Sequence, residues 1–222
     1  VSPTLTASPA ARAPAAPLRG LDVRTVSIRD LPSASSLLGA GLGEGFIDPL
    51  SLVTYADELG CTDRFALIAS DTDTGRDLGV ILADAPANVA DMRALLPDRR
   101  AADRILNLLP GARPGRLGLI RSVAVTPGAR RAGIGSRLVL EAVAGLRAAG
   151  AHEALSLGWS RAGQVPIRSP LQVAGLRAVG VLPHLWLEDS LVRGYDCEQC
   201  PNGQCRCEGV VFANPSLARA AA

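Results

Sequence analysis

An α/β fold is what this 222-residue sequence predicts, and three observations predict it. Strand-like runs of apolar and β-branched residues recur at Arg64 to Ser70, Leu78 to Ala83, Leu117 to Val125 and Ala154 to Trp159. A helical pattern separates the last two, with Leu138, Val139, Ala142, Val143 and Leu146 on one face and Arg137, Glu141 and Arg147 on the other. Hydrophobic residues make up 48% of the chain, enough for a substantial core, while no apolar run approaches the roughly 18 residues of a membrane span.

Taken in order, residues 1–20 carry four prolines and little complexity, which predicts a disordered, untargeted lead rather than core and a cytoplasmic protein. Folded structure is expected from Leu21, with a first strand at Asp22 to Ile28. Asp48 to Leu59 reads as a helix with Asp48 as N-cap, Pro49 at its first position and Gly60 as its stop. Between the third and fourth strands lies a long insert, Ala85 to Arg116, with short helices expected at Val89 to Leu96 and Ala101 to Leu109. Inserts of this length are more often functional than idle.

The junction after the fourth strand carries the chemistry. Thr126-Pro127-Gly128 stops the strand, and Gly133 and Gly135 then open the next helix, with Arg130 and Arg131 beside them. Small residues at a helix N-terminus let an anion reach unpaired backbone N–H groups and the positive end of the helix dipole. A P-loop is excluded because all 23 basic residues are arginine, and a G-x-G-x-x-G dinucleotide fingerprint fails at Leu138.

Arg130-Arg131-Ala132-Gly133-Ile134-Gly135, preceded by Val125-Thr126-Pro127, resembles motif A of the GNAT acyltransferase superfamily. The resemblance runs over Leu21 to Ser190 and is strongest over Leu117 to Trp159. It implies a mixed central sheet with flanking helices, and acyl transfer from acyl-coenzyme A, expected to be acetyl-CoA, to a primary amine by direct attack. It also implies that Ser122, Val123 and Val125 pair with the pantetheine arm. Arg130, Arg131, Ala132, Gly133, Ile134, Gly135 and Ser136 would then cradle the pyrophosphate. Homodimers through the late strands are frequent in such proteins.

Many members place a tyrosine acid in the helix after the fifth strand. Here that position falls near Leu171, and the fourth strand offers Arg121 and Ser122 rather than a carboxylate. His184, expected in the sixth strand, is then the first choice of base, since its ordinary pKa suits proton transfer. Tyr195, Glu188 and Asp189 are weaker choices. His152 reads as structural, and Trp159 and Ser160 as lining for the acyl site. A net charge of +2 indicates neither nucleic acid nor an anionic membrane as partner. The alternative function is a non-catalytic acyl-CoA-binding or sensor module that uses the cysteine-rich tail to bind a partner.

Residues 191–222 form a cysteine-rich element outside the GNAT pattern. Cys197, Cys200, Cys205 and Cys207 stand in a C-x2-C-x4-C-x-C array, with Pro201-Asn202-Gly203 as a turn between the pairs. Four thiolates at such spacing suit structural zinc, with an iron–sulfur cluster or redox-active disulfides as alternatives. The element would tie down the C-terminus, close over the acceptor site or bind a partner. Val210 to Phe212 is expected to add a short strand, and Cys61 to be a buried small hydrophobe.

Overall fold

The computed structural model describes residues 20–45, 47–86, 88–96, 99–109, 117–161, 163–194, 200 and 204–214. Seven strands form one sheet: β1 (Leu21–Thr25), β2 (Arg64–Asp71), β3 (Asp77–Asp84), β4 (Leu117–Val125), β5 (Glu153–Trp159), β6 (Arg177–Leu182) and β7 (Gly209–Asn214). Their order across the sheet is β1-β2-β3-β4-β5-β7-β6. Only β4 and β5 run parallel; the other neighbours are antiparallel. The helices are α1 (Leu31–Leu42), α2 (Pro49–Val53), α3 (Val89–Leu95), α4 (Arg99–Asn107), α5 (Ile134–Ala148), α6 (Arg168–Val173) and α7 (Leu187–Arg193).

Both faces of the sheet are covered, so its central strands are apolar on both sides. Along β3, Ile81 and Ala83 pack with Leu138, Ala142 and Leu146 of α5, while Val80 and Leu82 pack with Ala34, Leu37 and Leu38 of α1. A second cluster on the α1 side joins Met92, Ala102 and Ile105 of the insert helices to Leu155, Leu185, Trp186 and Val211. Arg137 and Glu141 form the exposed i,i+4 pair that their spacing predicts, at 2.7 Å. At Gly41, a Cβ would come within 2.8 Å of the Ala124 Cβ, so only glycine lets α1 lie this close to β4.

Several elements differ from the sequence reading. The first strand ends at Thr25, and residues 28–30 turn into α1, a helix that its Ser- and Gly-rich sequence does not announce. The expected helix over Asp48 to Leu59 is two pieces. Asp48 accepts from the Ser51 N–H at 3.0 Å and Pro49 follows, but Ala56 is extended and breaks the run. The break lets Asp57 N–H reach Val26 O at 2.9 Å before Gly60 ends a 3-10 turn in the left-handed region.

The largest difference concerns the C-terminal segment. Expected as an appendage, it supplies β7, which is hydrogen-bonded to β5 on one edge and β6 on the other. Phe212 is wholly buried there, so a boundary at residue 190 would divide the sheet. Cys61 is exposed rather than buried, because it follows Gly60 in a surface turn. Residues 1–19, the Tyr195 and Cys197 positions, and 215–222 lie outside the described residues.

Candidate functional site

The parallel strands β4 and β5 stay together only over Leu117–Ile120 against Glu153–Ser156. At that point β4 carries one extra residue: Leu82 of β3 faces Ser122 and Ala83 faces Ile120, leaving Arg121 at a bulge. A bulge bends its strand and adds twist, and β4 leaves β5 there. From Ser122 to Val125 the backbone keeps β3 on one edge and, among the described residues, has no strand partner on the other. A cleft of about 710 Å³ opens in the wedge.

The α5 N-terminus borders the same cleft. Arg131 and Gly133 turn through positive φ, 69° and 84°, which swings the loop off β4 and into the helix. At Gly133 this conformation favours glycine. No side chain caps α5, and its first 4-apart bond runs from Arg137 N–H to Gly133 O at 3.0 Å. The N–H groups of Ile134, Gly135 and Ser136 therefore have no helical acceptor. Arg130 Nε donates to Val125 O at 3.2 Å and fastens the loop to the strand end.

Eight of the ten residues assigned to coenzyme binding line the cleft: Ser122, Val123, Val125, Arg130, Arg131, Gly133, Gly135 and Ser136. Ala132 and Ile134 do not. Ile134 is buried and anchors the first turn of α5 in the core. The cradle is thus backbone amides and two arginines on an apolar support.

A buried polar relay reaches the cleft from the α1 side. Tyr55 Oη donates to the Asp84 carboxylate, 2.9 and 2.8 Å from its two oxygens, and accepts from Arg121 Nη1 at 3.0 Å. Burial pushes the Asp84 carboxyl up, with Arg121 and Tyr55 pulling the other way. Tyr55 is also pushed up, first by burial and then by the Asp84 charge, so it remains a neutral hydroxyl. Burial works against the charge on Arg121, but Tyr55, Asp84 and Asp189 outweigh it and raise its pKa. The guanidinium therefore stays charged at the bulge.

Asp189 and Trp186 bring α7 and the turn before it into the lining. Asp189 is 9% exposed, and it is the carboxylate among the described lining residues. Trp159 lies 6.3 Å from Trp186 between ring centroids, and the Arg161 guanidinium stacks 4.1 Å from the Trp159 ring. Arg161 also donates to Gly41 O at 3.0 Å, joining the end of α1 to the end of β5. Ser122 Oγ and Trp159 Nε1 are buried polar atoms with no hydrogen-bond partner among the described residues. Polar groups left unmatched this way are suited to a ligand, since burying them unpaired costs about 1–3 kcal/mol each.

The expected base is elsewhere. β6 ends at Leu182 and Pro183 follows, so His184 occupies a turn at φ 55°, exposed and outside the cleft lining. Leu171, at the position expected for the acid, is fully buried in the α5 core. Asp189, a weaker choice of base in the sequence, lines the cleft, and Tyr55 and Asp84, which the sequence does not single out, reach it through Arg121. They gather only because β3, the turn after α2 and α7 meet at the wedge. Cys200, Cys205 and Cys207 converge, with sulfur atoms all within 4.8 Å of one another.

No family model matches the chain, and no curated protein matches it by sequence. Solved structures do match by shape. A GNAT-family acetyltransferase from Streptococcus pneumoniae superposes with a TM-score of 0.58 at 13% identity, over 88% of this chain and 99% of that one. A GNAT-superfamily phosphinothricin acetyltransferase from Sinorhizobium meliloti, solved with acetyl-CoA, gives 0.56 at 14% identity over 88% of each chain. NAA60 from Arabidopsis thaliana, solved with a bisubstrate analogue, gives 0.59 at 15% identity, over 87% of this chain and 98% of its own. With its split β4–β5 pair, its glycine-opened α5 and this agreement over almost the whole chain, the protein has the GNAT acyltransferase fold.

Proposed function

We propose that the protein is an N-acyltransferase that moves an acyl group, most simply acetyl, from coenzyme A to a primary amine. The observation that carries this reading is the wedge itself. β4 loses its partner after Ile120 directly beside an uncapped helix N-terminus, giving a pantetheine-like chain free backbone groups and a pyrophosphate its donors. The acetyl-CoA and bisubstrate-analogue complexes among the similar structures support the same ligand class.

In the proposed reaction the amine nitrogen attacks the thioester carbonyl, the C–N bond forms and the C–S bond breaks. The amine proton must go to a base, and the departing thiolate must take up a proton. Asp189 is the proposed base, since its carboxylate lines the cleft and its charge is balanced by Arg121. Trp159 Nε1 and Ser122 Oγ are the proposed donors to substrate, being the cleft's unmatched polar atoms. Preorganised donors of this kind stabilise a developing oxyanion without reorganising during reaction.

A second reading is a domain that binds acyl-CoA without turnover, favoured by Leu171 and Arg121 standing where an acid and a carboxylate are expected. Acetyl-CoA titration followed by a thiol-release assay over a panel of amines separates them. Binding with amine-dependent thiol release is the transferase result; binding without release across the panel is the sensor result. Failure of the folded protein to bind acetyl-CoA overturns both.

A further inference from the structure

Outside the wedge, the most organised group of reactive side chains is the cysteine cluster. Cys200 Sγ and Cys207 Sγ are 3.6 Å apart, and Cys205 Sγ lies within 4.8 Å of both. A disulfide would need about 2.0 Å. Tetrahedral zinc with Zn–S bonds of about 2.3 Å places its sulfur ligands about 3.8 Å apart, close to the 3.6 Å between Cys200 and Cys207 and inside the 4.8 Å that bounds all three sulfurs. Cys205 and Cys207 are two apart in the irregular segment before β7, and both turn their sulfurs toward Cys200.

The surroundings suit thiolates. The Arg206 N–H donates to Cys200 Sγ at 3.2 Å, a bond that favours the charged sulfur and orients it. Cys205 is 2% exposed and Cys207 8%, both within the apolar cluster of Met92, Leu96, Leu185 and Trp186. Cys200 is half-buried at its rim. Cys197 stands three positions earlier in sequence, outside the described residues.

The cluster is also joined to the cleft. Cys205 lines it, and the Cys205 N–H donates to Ser190 Oγ at 3.0 Å, next to Asp189 in α7. Ser190 Oγ in turn donates to Leu187 O at 2.8 Å. The segment thus braces the wall that carries Trp186 and Asp189.

We infer that Cys200, Cys205 and Cys207 bind one zinc ion as thiolates, and that this ion fixes the α7 wall of the cleft. Each thiol gives its proton to solvent as its sulfur binds, and no electron moves, so the site forms without an oxidant or reductant. The inference stands apart from acyl transfer: zinc binding and the position of α7 are measurable whether or not the protein turns over.

The test begins with the full chain purified without chelator. Elemental analysis is expected to give about one zinc per chain, released in step with mercurial titration of the thiols and caught by a chromophoric chelator. Cobalt substitution should give intense sulfur-to-cobalt charge-transfer absorption. Cys200→Ser should lose most of the metal and Cys61→Ser none of it. Because Cys200→Ser can fail to fold, the mercurial and cobalt measurements on the unaltered protein decide independently. In a Trp159→Phe background, emission reports on Trp186 alone and should shift to the red when metal is withdrawn. Metal-free folded protein whose thiols stay equally reactive with added zinc overturns the site, as does iron with acid-labile sulfide or a disulfide found by mass. Metal loss without a Trp186 shift overturns the bracing role.

Discussion

Gly135→Asp separates the proposed phosphate cradle from the stability of the helix that would make it. Gly135 is the second residue of α5, in helical backbone, and the nearest atoms to a Cβ there would be Pro170 Cγ at 3.4 Å, Val125 Cγ2 at 3.9 Å and Pro170 Cβ at 4.0 Å, ordinary contacts. An acid in the first turn gains about 0.3–1 kcal/mol from the dipole, and replacing glycine adds a few tenths. For a chain of this size the melting temperature should rise by about 1–3 °C. The same carboxylate lies on the cleft lining where a pyrophosphate would be held. One charge about 4 Å from another costs about 1 kcal/mol in water and about 4 at the effective dielectric of a protein surface. A penalty of about 3 kcal/mol weakens acetyl-CoA binding roughly 100-fold. Calorimetric titration and thermal melting read the two effects separately, and Gly135→Asn, of equal size without the charge, should lose much less. An aspartate variant at least as stable as the parent that binds acetyl-CoA within threefold of it would refute the cradle.

Other perturbations follow from the same structure. Tyr55→Phe strands the buried Asp84 carboxylate and leaves Arg121 without its acceptor, at a cost of about 2 kcal/mol in urea denaturation at neutral pH. Asp84 is already held above its unfolded value near 4, so its ionisation lowers stability as pH rises from there through its folded pKa. Removing the hydroxyl pushes it higher, and the loss should shrink as pH is lowered toward 4; a loss independent of pH would count against the relay. Asp189→Asn should cut the rate of amine acylation by about 100-fold or more while leaving acetyl-CoA affinity within about twofold, and an unchanged rate would remove Asp189 as base. Asp30 is held well below the usual carboxylate range, first by its bond to Arg24 and then by Ser27. Its contribution is present above its unfolded pKa and lost as pH falls through the lower folded value. Asp30→Asn should therefore cost about 1 kcal/mol at neutral pH, with the difference from the parent narrowing on acidification.

By itself the sequence determined what depends on residues close together in the chain. β4 is found with its predicted bounds, Leu117–Val125, because a run rich in apolar and β-branched residues ends at Thr126-Pro127. α5 follows because its apolar residues repeat at helical spacing, and its uncapped start because Gly133 and Gly135 open that helix. The tertiary structure alone decided what depends on distant segments meeting. α1, rich in serine and glycine, is helical because Ala34, Leu37 and Leu38 find the exposed face of β3. Val210 to Phe212 reads as one short added strand and is one, but only the fold places it between β5 and β6, whose open edges pair with it. The chemistry of the site lies at that level too: Tyr55, Asp84, Arg121 and Asp189 belong to four separate segments with no shared motif. His184, conspicuous in the sequence for its pKa, is turned away from the cleft because β6 ends before Pro183. Periodicity and turn chemistry are local, while hydrogen-bond partners and burial are set only when the sheet closes.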